Sequence, residues 1–392
     1  MKKLLLLAGI FLSLSLNSQT SRTWTGSSST DWNTAGNWSP SGVPSTADHI
    51  VLNTASGNQP VLDANRNITN ITVSAGTIDV NGYTLTVTGS TNLTGGNIIN
   101  GVLTFNNTTT NISGMTIGAT VNITATGATI TNSTFNKKLF VTQTSGAGSY
   151  TWTGNTYNDT LDYRYTGSAT SAGISFLNST ANGDVYISTA NTYTLIFGSG
   201  ATSTNKFTLA ANKRIKIGSS GWSSGANINL YNVEFNDANP FTLNYSGGLN
   251  IGNSAFATSY GPAFNITAAS ATITNATFNK KLLVSQSYTG PVTWTGNTFN
   301  DTLDYRYTGA GSGHNISFLN STANEDVYIS TANTYNLVFG SGATSTNKFT
   351  LAANKRIKIG SSGWSSGANI NLYNVEFNDA NPFTLNYSGG LI

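Results

Sequence analysis

The feature that most constrains this chain is a near-perfect internal repeat. Residues 151–249 align without a gap with residues 293–391, and 10 of the 99 pairs differ. From Phe197 to Leu249 the match to Phe339–Leu391 is complete. Upstream, Ile130-Thr131-Asn132-Ser133-Thr134-Phe135 returns as Ile273-Thr274-Asn275-Ala276-Thr277-Phe278, one residue out of that offset. A period of this kind is the mark of stacked or tandem units, and it has to be read before any local propensity.

A finer period lies inside. An aromatic or small apolar residue followed by Asn recurs at Phe135-Asn136, Tyr157-Asn158, Ala181-Asn182 and Phe235-Asn236, then at Phe278-Asn279, Phe299-Asn300, Ala323-Asn324 and Phe377-Asn378, with Phe256 in the same register. Spacings of 21–24 residues, and two of 54 that divide into rungs of about 27, give six rungs per copy. Between the anchors run short apolar bursts such as Ile71-Thr72-Val73 and Leu85-Thr86-Val87, broken by Gly and Asn. Such bursts read as many short strands.

A rung of that length holds three strands and three turns, one coil of a parallel β-helix. The fold class predicted is therefore all-β, a right-handed parallel β-helix (solenoid) of about six coils per 142-residue repeat. The alternative, tandem sandwiches of about 142 residues, gives no reason for an aromatic-Asn pair in every rung. Each coil would rise by roughly 4.8 Å, the strand spacing, so six coils span about 29 Å. The anchors would stack as an inward ladder, and the Asn beside them as a hydrogen-bonded row in the turn.

Met1-Lys2-Lys3, the apolar run Leu4–Leu16 and then Asn17-Ser18-Gln19 have the pattern of a signal peptide cut near Ser18 or Gln19. The run is too short to span a bilayer. Without those two lysines the chain carries 16 basic and 15 acidic side chains, so net charge alone calls for neither nucleic acid nor an anionic membrane. The absence of Cys excludes disulfides and thiolate metal sites. The expected organisation is a signal peptide over 1–19, a Trp-rich N-terminal cap over 20–66, first coils over 67–134, a first repeat copy over 135–277, and a second, truncated copy over 278–392.

Thr23-Trp24-Thr25-Gly26, Asp31-Trp32-Asn33, Asn37-Trp38-Ser39-Pro40, Val43-Pro44 and Asp48 together resemble the N-terminal segment of large secreted bacterial surface proteins. These are adhesin-like proteins of gliding and biofilm-forming groups, in which a Trp-rich segment precedes a β-solenoid of the pectate-lyase-like superfamily. The resemblance implies a secreted or outer-surface protein, often exported by a type IX system with a C-terminal sorting domain. No segment up to Ile392 has that character, and the last copy lacks counterparts of Ile251–Thr277, so the expectation is a fragment of a longer protein. Physically, Trp24, Trp32 and Trp38 suit a cap over an open first coil, and a sugar-binding aromatic cluster is the competing reading.

The resemblance also implies an architecture that often carries carbohydrate-active enzymes. The strongest candidate for catalysis is Asp159-Thr160-Leu161-Asp162-Tyr163-Arg164-Tyr165, repeated at Asp301–Tyr307. On a strand, Asp162 and Arg164 share one face and Leu161, Tyr163 and Tyr165 the other. That predicts an outward ion pair over an apolar stripe rather than an active centre, since an active centre need not be duplicated nearly unchanged. Glu234 and Asp237 read as turn residues. The only histidines are His49 and His314, and His314 falls in the variable stretch Ala310–Asn315, which reads as a surface loop. No cofactor or metal is expected.

The expected function is non-enzymatic: adhesion or surface binding by a secreted repeat protein, the alternative being a carbohydrate-active enzyme module or glycan-binding module on the same helix. The partner expected is an extracellular glycan, matrix or host or cell surface, without nucleic acid and without a membrane span. Candidate contacts are Arg214 and Lys216 on the basic strand at Lys213–Ile217, Trp222 in the loop behind it, and their twins Arg356, Lys358 and Trp364. From Arg214 onward that strand alternates charge and Ile, which puts Arg214 and Lys216 outward and suggests a basic stripe along the helix.

Overall fold

A computed structural model describes residues 19–392 apart from 56, 146–147, 169–172, 190–192, 218–226, 237–238, 246, 289, 311–313, 332–334, 344–345, 360–368, 379–389 and 392. It is a parallel β-solenoid with almost no helix. Among the described residues no helix is long and apolar enough to cross a membrane.

Each coil contributes a strand to three faces. On the anchor face, Thr134–Phe135, Thr156–Tyr157, Ser179–Ala181, Phe207–Leu209 and Val233–Phe235 pair in parallel, as do their successors from Thr258–Tyr260 to Val375–Phe377. A second face, here the charged face, stacks Leu139–Gln143, Leu161–Tyr165, Val185–Thr189 and Ile215–Ile217, then Phe241–Asn244 through Leu303–Tyr307 to Ile357–Ile359. The third face runs unbroken from Ser149–Thr153 through Asn227–Leu230 and Gly248–Gly252 to Gly390–Leu391. Among the described residues, ladder pairing lapses once on each of the first two faces, between Val233–Phe235 and Thr258–Tyr260 on the anchor face and between Ile215–Ile217 and Phe241–Asn244 on the charged face, and the third face bridges that seam.

The predicted ladders are present. Phe135 stacks on Tyr157 at 5.9 Å and Phe278 on Phe299 at 6.0 Å, all four buried. Beside them Asn158 donates to Asn136 (2.7 Å) and Asn182 to Asn158 (2.8 Å), and Asn300 and Asn324 do the same in the second copy. The 54-residue gaps divide at Leu209 and Leu351, each aligned with the next anchors Phe235 and Phe377. One register assignment is corrected. The rung between Phe235 and Phe278 is anchored by Tyr260, which is buried and stacked on Phe278, while Phe256 lies half-exposed in the preceding corner. Asn253 causes the shift: its Oδ1 accepts from the backbone N–H of both Ala255 and Phe256, which lengthens the corner and turns Phe256 out of the core.

In most coils the corner leaving the third face holds a left-handed residue, a conformation that only Gly and Asn adopt routinely. Asn132, Asn178, Asn275 and Asn320 fill it with φ of 45–49°, each followed one coil later by Gly154, Gly198, Gly296 or Gly340, while the corners after Leu230 and Leu372 turn without one. The alternation is steric, because a Cβ on Gly154 or Gly296 would collide with the amide oxygen of Asn132 or Asn275 in the coil before.

At the N-terminal end Trp38 packs edge-on against both Trp24 and Trp32, at 4.8 Å each. All three rings are buried, so they close the first coil and present no ring to a sugar. Asn37, fully buried beneath them, accepts from the N–H of Ser28 and Ser29 and donates to the Asp31 carbonyl. Arg22 and Asp48 add a 2.8 Å ion pair.

Candidate functional site

Strand alternation decides what the charged face shows. Leu161, Tyr163 and Tyr165 point in and are buried, and Arg164 clasps Asp162 on the outside through two hydrogen bonds (3.1 and 3.0 Å), as the sequence implied. Ile215 is likewise buried and Lys216 exposed. Parallel pairing then brings residues of successive coils into one outward column, Phe140, Asp162, Tyr186 and Lys216, and in the second copy Leu283, Asp304, Tyr328 and Lys358.

The centre of each column is a three-residue constellation. Lys216 Nζ donates to Asp184 Oδ2 (2.7 Å) and to the Tyr186 hydroxyl (3.0 Å). Lys358 holds Asp326 and Tyr328 in the same way. The same ammonium stands over the Tyr186 ring, 4.8 Å from its centre, toward the hydroxyl end. Tyr186 is 38% exposed and Tyr328 40%, two of the few large apolar side chains so placed. Hydrogen bonding to Asp184 raises the Lys216 pKa. Burial opposes ionisation of Asp184, but the hydrogen bonds from Lys216 and the Arg214 backbone outweigh it, and its pKa falls below the usual carboxylate value.

The two copies differ one coil away. Lys138 sits over the Phe140 ring at 3.8 Å; where Leu283 replaces that ring, Lys281 turns instead to Asp304 (3.3 Å). A shallow trough of about 260 Å³ runs from Asn122 and Thr124 past Phe140 to Asp162 and Arg164.

Of the residues expected to make contact, Lys216 and Lys358 stand at these sites. Arg214 and Arg356 lie in the turns before their strands, which begin at Ile215 and Ile357, and each guanidinium donates to the preceding lysine carbonyl at 2.9 Å. Trp222 and Trp364 lie outside the described residues, as does Asp237. The continuous basic stripe is not formed: Thr242, Asn265, Leu283, Asp304 and Tyr328 take the corresponding second position of the strands between Lys216 and Lys358. His314 and Asn315 are the start of strand His314–Leu319, not loop, because they pair with Tyr335 and Asn336. His49 is half-buried against Thr72.

Sequence reasoning missed Tyr186, Tyr328, Asp184 and Asp326. The available signal was a large aromatic at an outward position of the alternating strand Val185-Tyr186-Ile187-Ser188. It also missed the buried Asn155, whose Nδ2 donates to the Ile130 carbonyl while its Oδ1 accepts from Ser133 N–H, and its twin Asn297.

Among the described residues no group of three or more His, Asp or Glu side chains is placed to hold a metal ion. No family model matches the chain, and neither a curated protein nor a solved structure does so.

Proposed function

We propose that this is a non-enzymatic, secreted repeat protein of a cell surface or its matrix, that it acts in adhesion, and that the charged face holds its partner, an extracellular glycan. The observation that carries the reading is the duplication of one exposed Tyr–Lys–Asp constellation on one face, six coils or about 29 Å apart. Repeated identical sites on a stiff rod favour avidity, in which a second contact is made at high effective concentration. An amphipathic ring face bordered by a carboxylate, an ammonium and a guanidinium is suited to sugar, offering an apolar surface and fixed hydrogen-bonding groups.

Charge supports an acidic glycan over a neutral one at this face. Among the described residues, the face and the turns leading into it carry twelve basic and seven acidic side chains from Lys137 onward; elsewhere there are four basic and six acidic. The net of at most +5 is spread over nine coil steps, about one charge per 9 Å of axis. Duplex DNA presents one charge per about 1.7 Å, far denser than this face matches, and Asp162, Asp184, Asp304 and Asp326 would repel it.

The test is retention of the full chain on an array of acidic and neutral glycans. Tyr186→Ala with Tyr328→Ala is expected to weaken retention on acidic glycans at least tenfold with the melting temperature unchanged, and each single substitution less. Undiminished binding by the folded double variant removes the charged face. Cleavage of a bound glycan by the unaltered protein, abolished in Asp162→Asn, would make it an enzyme instead.

A further inference from the structure

The third face carries a second, chemically different depression. A trough of about 400 Å³ is lined by Tyr231, Asn250, Asn253, Ser254, Thr272 and Thr274, with the backbone of Gly200, Ile251 and Gly252. Its size falls in the range of small-molecule sites. It contains no charged side chain, in contrast to the face described above.

Coil length explains why it forms there. The corner over residues 198–206 is long, whereas the step from Tyr260 to Phe278 is only 18 residues, against 26 from Leu209 to Phe235. Gly200 of the long corner and Thr272 and Thr274 of the short coil both line the trough. Gly200 lies against the Tyr231 ring, since a Cβ added to it would come within 3.0 Å of that ring. One side of the phenol is thereby backed by main chain while the ring borders the trough.

The amides are fixed in place and the hydroxyls carry the bonding capacity. Asn250 donates to Asn229 (2.6 Å), which orients its amide and leaves its carbonyl oxygen as an acceptor. Asn253 is fixed by the two backbone N–H groups it accepts. Among the described residues the hydroxyls of Ser254, Thr272, Thr274 and Tyr231 make no side-chain hydrogen bond. A hydroxyl supplies both a donor and acceptors, so this set recognises another array of hydroxyls. An ion gains nothing here, because no opposite charge is available to replace its hydration.

We infer that this trough is a binding site for a neutral saccharide, one sugar ring lying against Tyr231 with its hydroxyls bonded to Asn250, Ser254, Thr272 and Thr274. It is independent of the charged face. With both occupied, one solenoid bridges an acidic and a neutral glycan on two of its sides.

Affinity electrophoresis of the full chain through gels containing dextran, laminarin or galactomannan tests it, with polygalacturonate as the acidic comparison. Retardation by at least one neutral polymer is expected, reduced at least tenfold in apparent affinity by Thr272→Glu, an exposed strand position whose change leaves the fold and melting temperature intact. Tyr231→Ala is expected to act in the same direction, and Tyr186→Ala with Tyr328→Ala to leave neutral retardation unchanged. The inference is overturned if no neutral polymer retards the protein, if folded Thr272→Glu is retarded like the unaltered chain, or if neutral retardation is lost in the Tyr186/Tyr328 variant. The last outcome would move all glycan binding to the charged face; the first two leave that face untouched.

Discussion

The coils at Gly96–Ser113 and Met115–Thr131 and those of the repeats belong to the same solenoid but are built differently. In the first pair the chain turns corners almost without leaving strand geometry, as strands of 18 and 17 residues paired along most of their length. Their core is mainly aliphatic, Ile98, Leu103 and Ile112 beneath Ile117, Val121 and Ile130, and no charged side chain lies between Asp79 and Lys137. In the repeats the strands shrink to between two and six residues, the core turns aromatic around Trp152, Tyr163 and Phe176, and corners lengthen. The charged-face ladder carries Arg66 and, in the turn before it, Asp63 ahead of these coils; it is bare from 80 to 136, and the rest of its charges belong to the longer coils. The bare coils show how little a rung needs in order to stack. What the repeats add is exposed charge and aromatic side chains, supported by larger rings and buried amides where corners interrupt the ladder.

The largest expected effect tests that support. Trp152 is fully buried, packs on Tyr163 and Phe176 at 5.7 and 5.5 Å, and donates to the Ala128 carbonyl (2.8 Å). Trp152→Ala should cost about 3–5 kcal/mol in denaturant unfolding, whereas Ile112→Val in a bare coil should cost roughly 0.5–1.5 kcal/mol. Hydrogen exchange should show the loss confined to neighbouring coils, since stability in a stacked array is largely nearest-neighbour. Uniform loss over 96–131 would mean that the two regions are one cooperative unit.

A smaller contrast separates two asparagines. Asn155 is buried and bonds two backbone groups in the coil before it, so Asn155→Ala should cost about 1–3 kcal/mol by leaving the Ile130 carbonyl and Ser133 N–H without partners. Asn158, three residues on, sits in the exposed row, and Asn158→Ala should stay within about 0.5 kcal/mol. Equal costs would show that the outer Asn row carries stability as well as register.

The gentlest effect is on pH. Burial raises Asp48, Asp184, Asp304 and Asp326, but hydrogen bonds and nearby cations outweigh it, so all four are depressed. Depressed carboxylates contribute stability that is present above their unfolded pKa of about 4 and lost as pH falls through the folded values. Acid should therefore loosen the cap and the repeats first, while protection in the charge-free coils over 80–136 persists. Simultaneous loss in both would contradict this.

Much of this was legible in the sequence, because a solenoid writes its geometry as a period. The anchors, the Asn row, the Asp162–Arg164 clasp and the inward Ile215 all follow from spacing and strand alternation. Relations between coils were not legible. Lys216 meets Asp184 across 32 residues, and only the coil register, set by corner lengths, brings them together. A corner that changes length hides the register, as where Asn253 turned Phe256 outward and gave its rung to Tyr260. Tyr186 was passed over for the same reason: its neighbours in the column are Asp162 and Lys216, each a coil away.

The central claim is that the repeats place identical sites at a fixed distance on one rod. The chain has no cysteine, so Ser188→Cys and Ser330→Cys, outward positions beside Tyr186 and Tyr328, can each carry one spin label. Pulsed dipolar spectroscopy on that pair should give a single narrow distribution centred at about 30 Å, six coil steps of roughly 4.8 Å. A broad distribution, or a centre well beyond about 40 Å as for two separately folded domains of this size, would contradict the solenoid and the display that rests on it.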